Sequence, residues 1–571
     1  MSFEKCIKSF VIYLTTLLVS ITVFAGQANV FNTENISKIT GYLEKNIATK
    51  TNVFSYKEKD YSCKSIPGAV IASTKGMNAV WARDTALVMG TITQLYKDAI
   101  KANNKNNIQK YGNYLFNYIS FLKKTVPVLP PDHAKFYIDG KKFPWMNQAD
   151  GPALRVITLS NMAQAFITSP QTIKLIGTQK SVELNKKFVE ENLFRSKTTK
   201  PGNSIIKYEA DFISANWQKK TIDLWEESTG HHFFSELVQM KASLAAATLA
   251  KQLGHEKIAN KYLITSYDIC QSLKSFYQVW KYYGIRHNLS KPLGGFYCYT
   301  ENKVPSQKSF KGEIPKKWYE KWERGSGLNS STMLGVIYAN MFPDFQKGSI
   351  TYKELFKNEY YKKLLKMYND NNIGILPTSN EVIQTVFHYQ NAFTAKSVTP
   401  YAEGLDIYAI NTVTLKDKNY GVLVGRYPGD NYNGIDWSKV NVDGNPWFLA
   451  TSGLANYYYT LAHEYRVIGK VSIPDVETKT PDVVKFFRQI TGNKNIKPGI
   501  YTKDSKKFNE IIDGLVKNGN NIMRTVVHYA KPYDMHMSEQ INRNTGKECS
   551  YEDLSWSYSS FLDAYTASTQ K

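Results

Sequence analysis

The feature that most constrains the fold of this chain is a helical periodicity that recurs along nearly its whole length. Apolar residues return every three to four positions, which places them on one face of an α-helix. Strand-like runs, such as residues 69–73 and 420–425, are short. The pattern therefore predicts an all-α protein. The predicted helices span residues 83–101, 107–123, 154–167, 233–252, 256–277, 331–340, 352–368, 403–410, 447–464, 481–490, 505–527 and 556–567.

Long segments between these helices are rich in Gly, Pro, Trp and Tyr. They cover residues 126–151, 216–230, 288–327 and 426–446. Loops of more than ~12–15 residues in a compact fold are usually functional or disordered, and the aromatic content argues against disorder. We expect these loops to build one site together. A dozen helices can close into a toroid of six inner and six outer helices, with the loops of one face forming a funnel.

The charge of the chain is strongly positive, with 72 Lys and Arg against 49 Asp and Glu and a net charge of +23. The basic residues are scattered among Asn and Ser, as in residues 101–110, and do not form a basic arm. This distribution indicates a solvated surface and no specific nucleic-acid partner. A polyanion-binding protein remains an alternative that rests on the net charge alone.

The N-terminus has the pattern of an export signal. Lys5 and Lys8 precede an apolar run of 16 residues from Phe10 to Ala25. That run is shorter than the ~18–20 residues that span a bilayer. We expect cleavage after Ala25, so that residues 1–25 are a signal peptide and residues 26–571 form a single exported domain. The mature protein is expected to be a secreted or periplasmic monomer without a membrane partner.

Cysteine usage fits this compartment. Cys6 leaves with the signal, and an even number of cysteines in an oxidising compartment predicts disulfides with three possible pairings. The remaining cysteines are Cys63, Cys270, Cys298 and Cys549. No CxxC pair is present, and His463-Glu464 lacks the second His of a zinc-protease helix. The sequence therefore predicts no metal and no cofactor.

The most informative motif is residues 221–227, where three carboxylates and an indole crowd into five positions. Neighbouring carboxylates raise one another's pKa, and an apolar wall disfavours the charged form further. A Glu in such a place can remain protonated and act as an acid. The alternative is an exposed acidic turn, but Trp225 and the following His-His-Phe-Phe argue against simple exposure.

Four further clusters combine charged, amide and aromatic side chains. Arginine forks beside carboxylates, with an indole nearby, suit polyhydroxyl ligands, since the polar groups bind hydroxyls while the ring covers the apolar face of a sugar. A capping ion pair would explain the first cluster, and surface exposure would explain an isolated Glu539. The clusters are residues 81–84, residues 143–155, residues 425–430 with 444–448, and residues 538–540 with 553–558.

Taken in order, these clusters resemble the glucoamylases, glycoside hydrolase family fifteen. The resemblance runs from about residue 81 to residue 558 and rests on DLWEE, DGPALR, GRYP-x-D, NPWFL and WSYSSF. It is closest to the fungal and yeast type of catalytic domain. The resemblance implies an (α/α)6 barrel that needs no cofactor, and no separate starch-binding domain is expected.

The resemblance also implies roles for individual residues. Glu226 would be the general acid and Glu539 the general base of an inverting exo-glucosidase that releases β-D-glucose from non-reducing ends of α-1,4-linked glucans such as starch, glycogen and maltooligosaccharides. Trp225 would help to wall the acid. The residues expected to hold the terminal glucose are Arg83, Asp84, Trp145, Glu227 and Arg426. The residues expected to position these groups are Asp150, Asp223 and Asp430.

The sequence departs from the family pattern in two places. Residues 77–80 stand where the family has aromatic residues, and Gly429 stands where it has a second acid, followed by an insertion at 435–443. Sugar affinity is therefore expected to differ. The alternatives are an inverting hydrolase of trehalose, isomaltose or dextran on the same fold, and a non-catalytic glycan-binding protein. The presence of both Glu226 and Glu539 argues against the latter.

Overall fold

The structure is a computed structural model that describes residues 30–76, 78–168, 182–196, 201–279, 295–300, 327–394, 406–434, 443–476 and 478–570. The predicted signal peptide, residue 77 and residues 435–442 of the insertion lie outside this part of the chain. Helices dominate it. They are α1 (Thr33–Lys45), α2 (Ala82–Lys101), α3 (Lys105–Thr125), α4 (Asp150–Thr168), α5 (Val182–Asn192), α6 (Ile205–Asn216), α7 (Phe233–Gln252), α8 (Glu256–Ser272), α9 (Ser330–Tyr338), α10 (Ile350–Leu355), α11 (Glu359–Asn369), α12 (Asn380–Asn391), α13 (Ala409–Thr414), α14 (Phe448–Ile468), α15 (Val483–Thr491), α16 (Lys506–Ala530) and α17 (Ser555–Ser568).

The strands are short and pair in antiparallel, two-stranded ribbons within the described ranges. Each ribbon therefore shapes a loop between helices and does not form a layer of the core. The pairs are β1 (Ser55–Lys57) with β2 (Ser62–Lys64), β3 (Val80–Trp81) with β4 (Lys135–Phe136), β5 (Thr221–Ile222) with β6 (Thr229–Gly230), β7 (Tyr277–Val279) with β8 (Gly295–Tyr297), β9 (Lys470–Ile473) with β10 (Gly499–Thr502), and β11 (Gln540–Ile541) with β12 (Glu548–Cys549).

Six helices close into an inner ring. Going round the ring, α2 packs on α4, α4 on α7, α7 on α9, α9 on α14, α14 on α17, and α17 again on α2. An outer helix contacts each of them: α3, α6, α8, α12, α16 and α1, in the same order. This arrangement confirms the predicted toroid of six inner and six outer helices.

The sequence explains which helices lie inside. Helix α7 is buried on almost every side and carries small residues in Ala246, Ala247 and Ala250, which let neighbouring helices approach. Helix α16 instead buries one stripe, including Phe508 and Leu515, and exposes its other face. An apolar surface all round is typical of a central helix, and a single stripe is typical of an outer one.

Several predicted boundaries are wrong for local reasons. The helix predicted at 256–277 ends at Ser272, where a 3-10 turn leads into β7. The helix predicted at 352–368 is two helices, because the side chain of Asn358 caps a new helix start. The helix predicted at 403–410 is also wrong, since α13 begins only at Ala409, and residues 403–405 lie outside the described ranges. Four helices were not predicted: α1, α5, α6 and α12.

The predicted disulfides are wrong. All four remaining cysteines lie in described segments, and each is a free thiol. Cys270 and Cys298 are buried, and burial raises the pKa of the Cys270 thiol to about 12. A buried thiol of this kind packs as a small apolar side chain and is poorly reactive.

The described helices include none with the length and apolarity that a bilayer crossing requires. The inner helices instead pack on one another through a single connected apolar core. The loops that precede α2, α4, α7, α14 and α17 carry the clusters singled out in the sequence. Asn329, just before α9, accepts a hydrogen bond from Trp225 Nε1 at 2.9 Å, so the fold brings the starts of all six inner helices to the same end.

Candidate active site

A cavity of about 290 Å³ opens where the inner helices begin. It brings together most of the predicted site residues, including Glu226 and Glu539, which stand 313 positions apart in the chain. The predicted residues that line it are Arg83, Asp84, Trp145, Trp225, Glu226, Glu227, Arg426 and Glu539. Asp150, Asp223 and Asp430 do not line the cavity and lie buried behind its wall.

Several lining residues were not predicted. Trp81, Trp447 and Trp556 belong to motifs that the sequence had singled out, so their motifs were a usable signal. Tyr432 stands six residues after Arg426 and carried no such signal. Tyr551 comes from a turn that no motif covers. The remaining unpredicted lining residues are Ala72, Met146, Leu224 and Leu554.

The loop of Glu226 is held in an unusual conformation by Asp223. The Asp223 carboxylate accepts backbone N–H bonds from Trp225 at 3.0 Å, from Glu227 at 2.9 Å and from Ser228 at 2.8 Å. Glu226 has φ +63°, in the left-handed region that non-glycine residues rarely occupy. These bonds offset the strain, and as a result three consecutive side chains, at 225–227, line the cavity.

The carboxyl group of Glu226 lies beside an indole N–H and an arginine. Its Oε1 accepts a hydrogen bond from Trp81 Nε1 at 2.7 Å and lies 3.8 Å from Arg83 Nη2. Burial raises the pKa of Glu226, while Arg83 and the Trp81 bond partly oppose this effect. A carboxyl with a raised pKa is suited to donate a proton at mildly acidic pH.

Arg83 organises one wall of the cavity. Its Nε lies 3.0 Å from Asp84, and its Nη1 lies 3.4 Å from Asp150 and 3.2 Å from Gln148 Oε1. The guanidinium also stacks 5.4 Å from the ring of Trp556. Asp150, at the start of α4, thus acts on the cavity by fixing Arg83 and does not face the ligand space.

Arg426 organises a second wall of the cavity. Asp430 holds it with two hydrogen bonds, at 2.8 Å to Nε and 2.7 Å to Nη2, in the forked geometry that only Arg offers. Nη2 also lies 2.7 Å from Glu227, which accepts a second bond from Tyr427 at 2.8 Å. Trp447 stacks on the same guanidinium at 5.5 Å. This network positions the Arg426 and Glu227 side chains that face the cavity.

Glu539 lies in a different polar setting. Its Oε2 accepts hydrogen bonds from Tyr432 OH at 3.1 Å, from Gln540 Nε2 at 3.0 Å and from Ser550 Oγ. The pKa of Glu539 is raised by burial, and these donors and Arg426 oppose this effect only in part. Three donors to one oxygen favour the ionised form, and they leave Oε1 for a water molecule.

A buried lysine behind the cavity was not predicted. Lys135 Nζ lies 4.0 Å from the ring centre of Trp81, 3.9 Å from that of Phe143 and 4.2 Å from that of Trp145. Burial lowers its pKa to about 8, and the charge of Glu226 acts in the opposite direction. Cation–π attraction to this ammonium stabilises the positions of the Trp81 and Trp145 rings, which both line the cavity.

Comparison with known proteins agrees with this geometry. The family model of glycosyl hydrolases family 15 matches residues 55–566, and the chain belongs to that family. A curated glucoamylase from Blastobotrys adeninivorans is 28% identical over 512 residues, which is 87% of this chain and 66% of that protein. The chain therefore spans slightly less than two thirds of the length of that relative.

Two further comparisons bear on fold and location. A solved glucoamylase structure from Saccharomycopsis fibuligera has a TM-score of 0.65 at 21% identity, over 94% of this chain and 94% of that chain. It shows that the two chains share the fold, as the predicted (α/α)6 barrel requires. An intracellular, sporulation-specific glucoamylase from Saccharomyces cerevisiae is 26% identical over 524 residues, 87% of this chain and 78% of that protein.

Proposed function

We propose that this member of the family is an exo-acting glucoamylase, a glucan 1,4-α-glucosidase that releases glucose from the non-reducing ends of α-glucans and inverts the anomeric carbon. The family match and the glucoamylases among the relatives agree with the activity predicted from the sequence. The observation that carries the assignment of roles is the placement of Glu226 and Glu539 on the same cavity in contrasting surroundings.

The contrast between the two carboxyl groups gives each its role. Glu226, which has one neutral donor at 2.7 Å and an arginine at 3.8 Å, keeps its proton and donates it to the departing glycosidic oxygen. Glu539, whose Oε2 accepts three hydrogen bonds that stabilise the charged form, acts as the base in its ionised form and takes a proton from the attacking water through Oε1. Water then enters on the face opposite the leaving group, which inverts the anomeric centre.

The rest of the cavity fits one terminal glucose. Arg83 with Asp84 on one side, and Arg426 with Glu227 on the other, present charged groups to the sugar hydroxyls. The indoles of Trp145 and Trp225 are among the apolar faces that cover ring carbons. Asp150, Asp223 and Asp430 act as positioning residues through the contacts described above.

We also propose that the protein is exported after cleavage near Ala25 and works as a monomer on extracellular glucan. The support is the sequence of residues 1–25. Relatives differ in location, since one is described as intracellular. Mass spectrometry of the protein secreted by its own cells would find an N-terminus near Gly26, and an intact N-terminus on cell-retained protein would contradict the proposal.

The test of the roles compares Glu226→Gln with Glu539→Gln. On maltotetraose, kcat of each should fall by roughly 10²–10⁴, the usual scale of general acid or base catalysis. On α-glucosyl fluoride, whose leaving group needs little protonation, Glu226→Gln should retain far more activity than Glu539→Gln. The control is Glu359→Gln on the exposed face of α11, which should match the parent on both substrates.

The outcome separates the alternatives. If Glu539→Gln is the less impaired variant on the fluoride, the two roles are reversed. If both variants hydrolyse maltotetraose like the parent, neither carboxyl is catalytic. Trehalose and isomaltose as parallel substrates distinguish the α-1,4 activity from the other linkages, and faster hydrolysis of either would replace the proposed substrate.

A further inference from the structure

One edge of the cavity is lined by Ala72 and by Tyr551, which lies outside every sequence motif. The segment 72–76 contributes Ala72 to the lining. Gly76 has φ +88°, and a β-carbon there would stand 3.0 Å from Cδ1 and Cε1 of Tyr551. The ring of Tyr551 therefore packs directly on the Gly76 backbone, and its other side faces the cavity.

Several bonds fix the turn that carries Tyr551 against segment 72–76. Ser73 Oγ donates to the carbonyl of Glu552 at 2.5 Å, and Thr74 Oγ1 donates to Asp553 at 2.8 Å. Lys75 Nζ lies 2.5 Å from the Glu552 carboxylate. These contacts fix the chain directly after Tyr551, and a ring on a fixed backbone loses less conformational entropy when a ligand packs on it.

The same turn is joined to Glu539. Ser550, which precedes Tyr551 and has φ +69°, donates its hydroxyl to Glu539 Oε2. The carbonyl of Tyr551 accepts the backbone N–H of Glu539 at 2.8 Å. One short turn thus presents an aromatic face to the cavity and a hydrogen bond to the carboxylate beside it.

We propose that Tyr551 is a substrate-binding residue whose ring packs against the apolar carbons of the terminal glucose on the edge of the cavity formed by residues 72–76. This inference rests on the proposed function and adds a residue to it. The ring supplies an apolar face where segment 72–76 offers only Ala72, and it lies on the side of the cavity that holds Glu539. Glucose binding and the placement of the water-activating carboxylate are therefore coupled through this turn.

The experiment measures binding of 1-deoxynojirimycin, a monocyclic glucose analogue, by calorimetry together with kcat and KM on maltotetraose. Tyr551→Phe keeps the ring, Tyr551→Leu keeps apolar volume without it, and Tyr551→Ala removes both. The Kd of the Ala variant should rise about tenfold, that of the Leu variant less, and that of the Phe variant less than about threefold. Tyr501→Ala, a partly buried tyrosine on β10, is the matched control and should bind as the parent.

Either result is decisive. Weakened binding in Ala and Leu with retained binding in Phe supports the proposal, and the Leu variant serves if Ala does not fold. Unchanged binding in Leu and Ala overturns it, as does a Phe variant as weak as Ala, because the ring would then not be the contact. If the parent releases no glucose from maltotetraose, the proposed function fails first. If the parent is active while all three variants bind equally, only the role of Tyr551 fails.

Discussion

Buried carboxyl groups have different partners at the two ends of the inner ring of helices. At the cavity end, where helices begin, Arg83 contacts Asp84 and Asp150, and Arg426 contacts Glu227 and Asp430. Towards the other end of α14, Glu464 accepts a hydrogen bond from the amide of Asn340 at 2.7 Å, and burial raises its pKa to about 8. Helix starts favour negative charge and helix ends disfavour it, which fits this division.

The helix starts themselves show a second contrast. The N-cap residues of the outer helices α1, α3 and α16 are Asn32, Asn104 and Ser505, and the side chain of each accepts a hydrogen bond from the first turn. The N-cap residues of the inner helices α2, α14 and α17 are Trp81, Trp447 and Leu554. Their side chains form no capping hydrogen bond and line the cavity instead. These three inner starts thus contribute to the walls of the site, and these three outer starts gain a stabilising side-chain cap.

The largest expected effect comes from breaking an arginine network at the cavity end. Arg426→Gln leaves two carboxyl groups without their cation in a buried place, so we expect a loss of about 3–5 kcal/mol in the free energy of unfolding. Because the wall is displaced as well, kcat/KM should fall by about 10²-fold. Denaturant unfolding and maltotetraose kinetics measure both. Arg195→Gln on the surface is the control, and a loss below about 1 kcal/mol would contradict the account.

The stability contributed by Glu464, at the end of the ring away from the cavity, should fall as the pH rises. A carboxylate in an ion pair shows the opposite dependence, because its contribution is lost as the pH falls. The folded-state pKa of Glu464, about 8, lies above its ordinary value of 4.5, so folding favours the protonated group. Its stabilising contribution is complete below pH ~4.5 and is lost as the pH rises to about 8. Glu464→Gln should therefore be more stable than the parent by on the order of 3 kcal/mol at pH 8.5 and equal to it at pH 4.5.

Urea unfolding of the Glu464→Gln variant and the parent at both pH values measures this difference. Glu359→Gln on the exposed face of α11 is the control, and it should not show the gain in stability at pH 8.5 that is expected for Glu464→Gln. An equal difference for Glu464→Gln at the two pH values would show that Glu464 does not hold a proton in the folded state.

A smaller effect is expected from the hydrogen bond to the acid. Trp81→Phe keeps an aromatic wall and removes the Nε1 donor that lowers the pKa of Glu226. The pKa of Glu226 should rise, and the alkaline limb of kcat/KM should move up by about one pH unit. Trp217→Phe, at the end of α6, is the control. A limb that stays in place or moves to lower pH would contradict the role of this bond.

The smallest expected effect is a loss of stability when the N-cap of an outer helix is removed. Asn104→Ala removes the side-chain cap of α3, where Asn104 accepts a bond from Asn107 N at 3.1 Å, and should lower the free energy of unfolding by about 1 kcal/mol. Activity should be unchanged, since Asn104 is not among the lining residues. Asn106→Ala in the first turn is the control. A loss of activity, or a shift of the pH profile like that expected for Trp81→Phe, would contradict the distinction between these inner and outer starts.

Much of this architecture could be predicted because both the helix-forming segments and the site motifs can be recognised in the sequence. Helix α7 was predicted from Phe233 to Gln252 because apolar residues recur along it with no Gly or Pro to interrupt the helix, and the site motifs lie directly before helix starts. Boundaries failed where a local polar contact prevails over periodicity, as at Asn358. The spacing of apolar residues does not reveal such a bond, although Asn is a preferred N-cap residue and its position was a usable signal.

The site residues that were missed are those brought in by tertiary structure alone. Lys135 resembles a surface lysine in the sequence, yet three aromatic rings enclose it. Tyr551 follows a serine and precedes two acids in a polar turn, and only packing on Gly76 turns its ring towards the cavity. The predicted disulfides failed because an even count of cysteines does not show which thiols meet.

The most direct test of the account is the anomer of the first glucose that leaves the cavity. Time-resolved proton NMR of maltotetraose hydrolysis by the intact protein, recorded faster than mutarotation, should show β-glucose first, with maltotriose as the co-product. That result follows from a water activated by Glu539 on the face opposite the oxygen protonated by Glu226. Release of α-glucose first would require a covalent, retaining route and would contradict the roles assigned to both carboxyl groups.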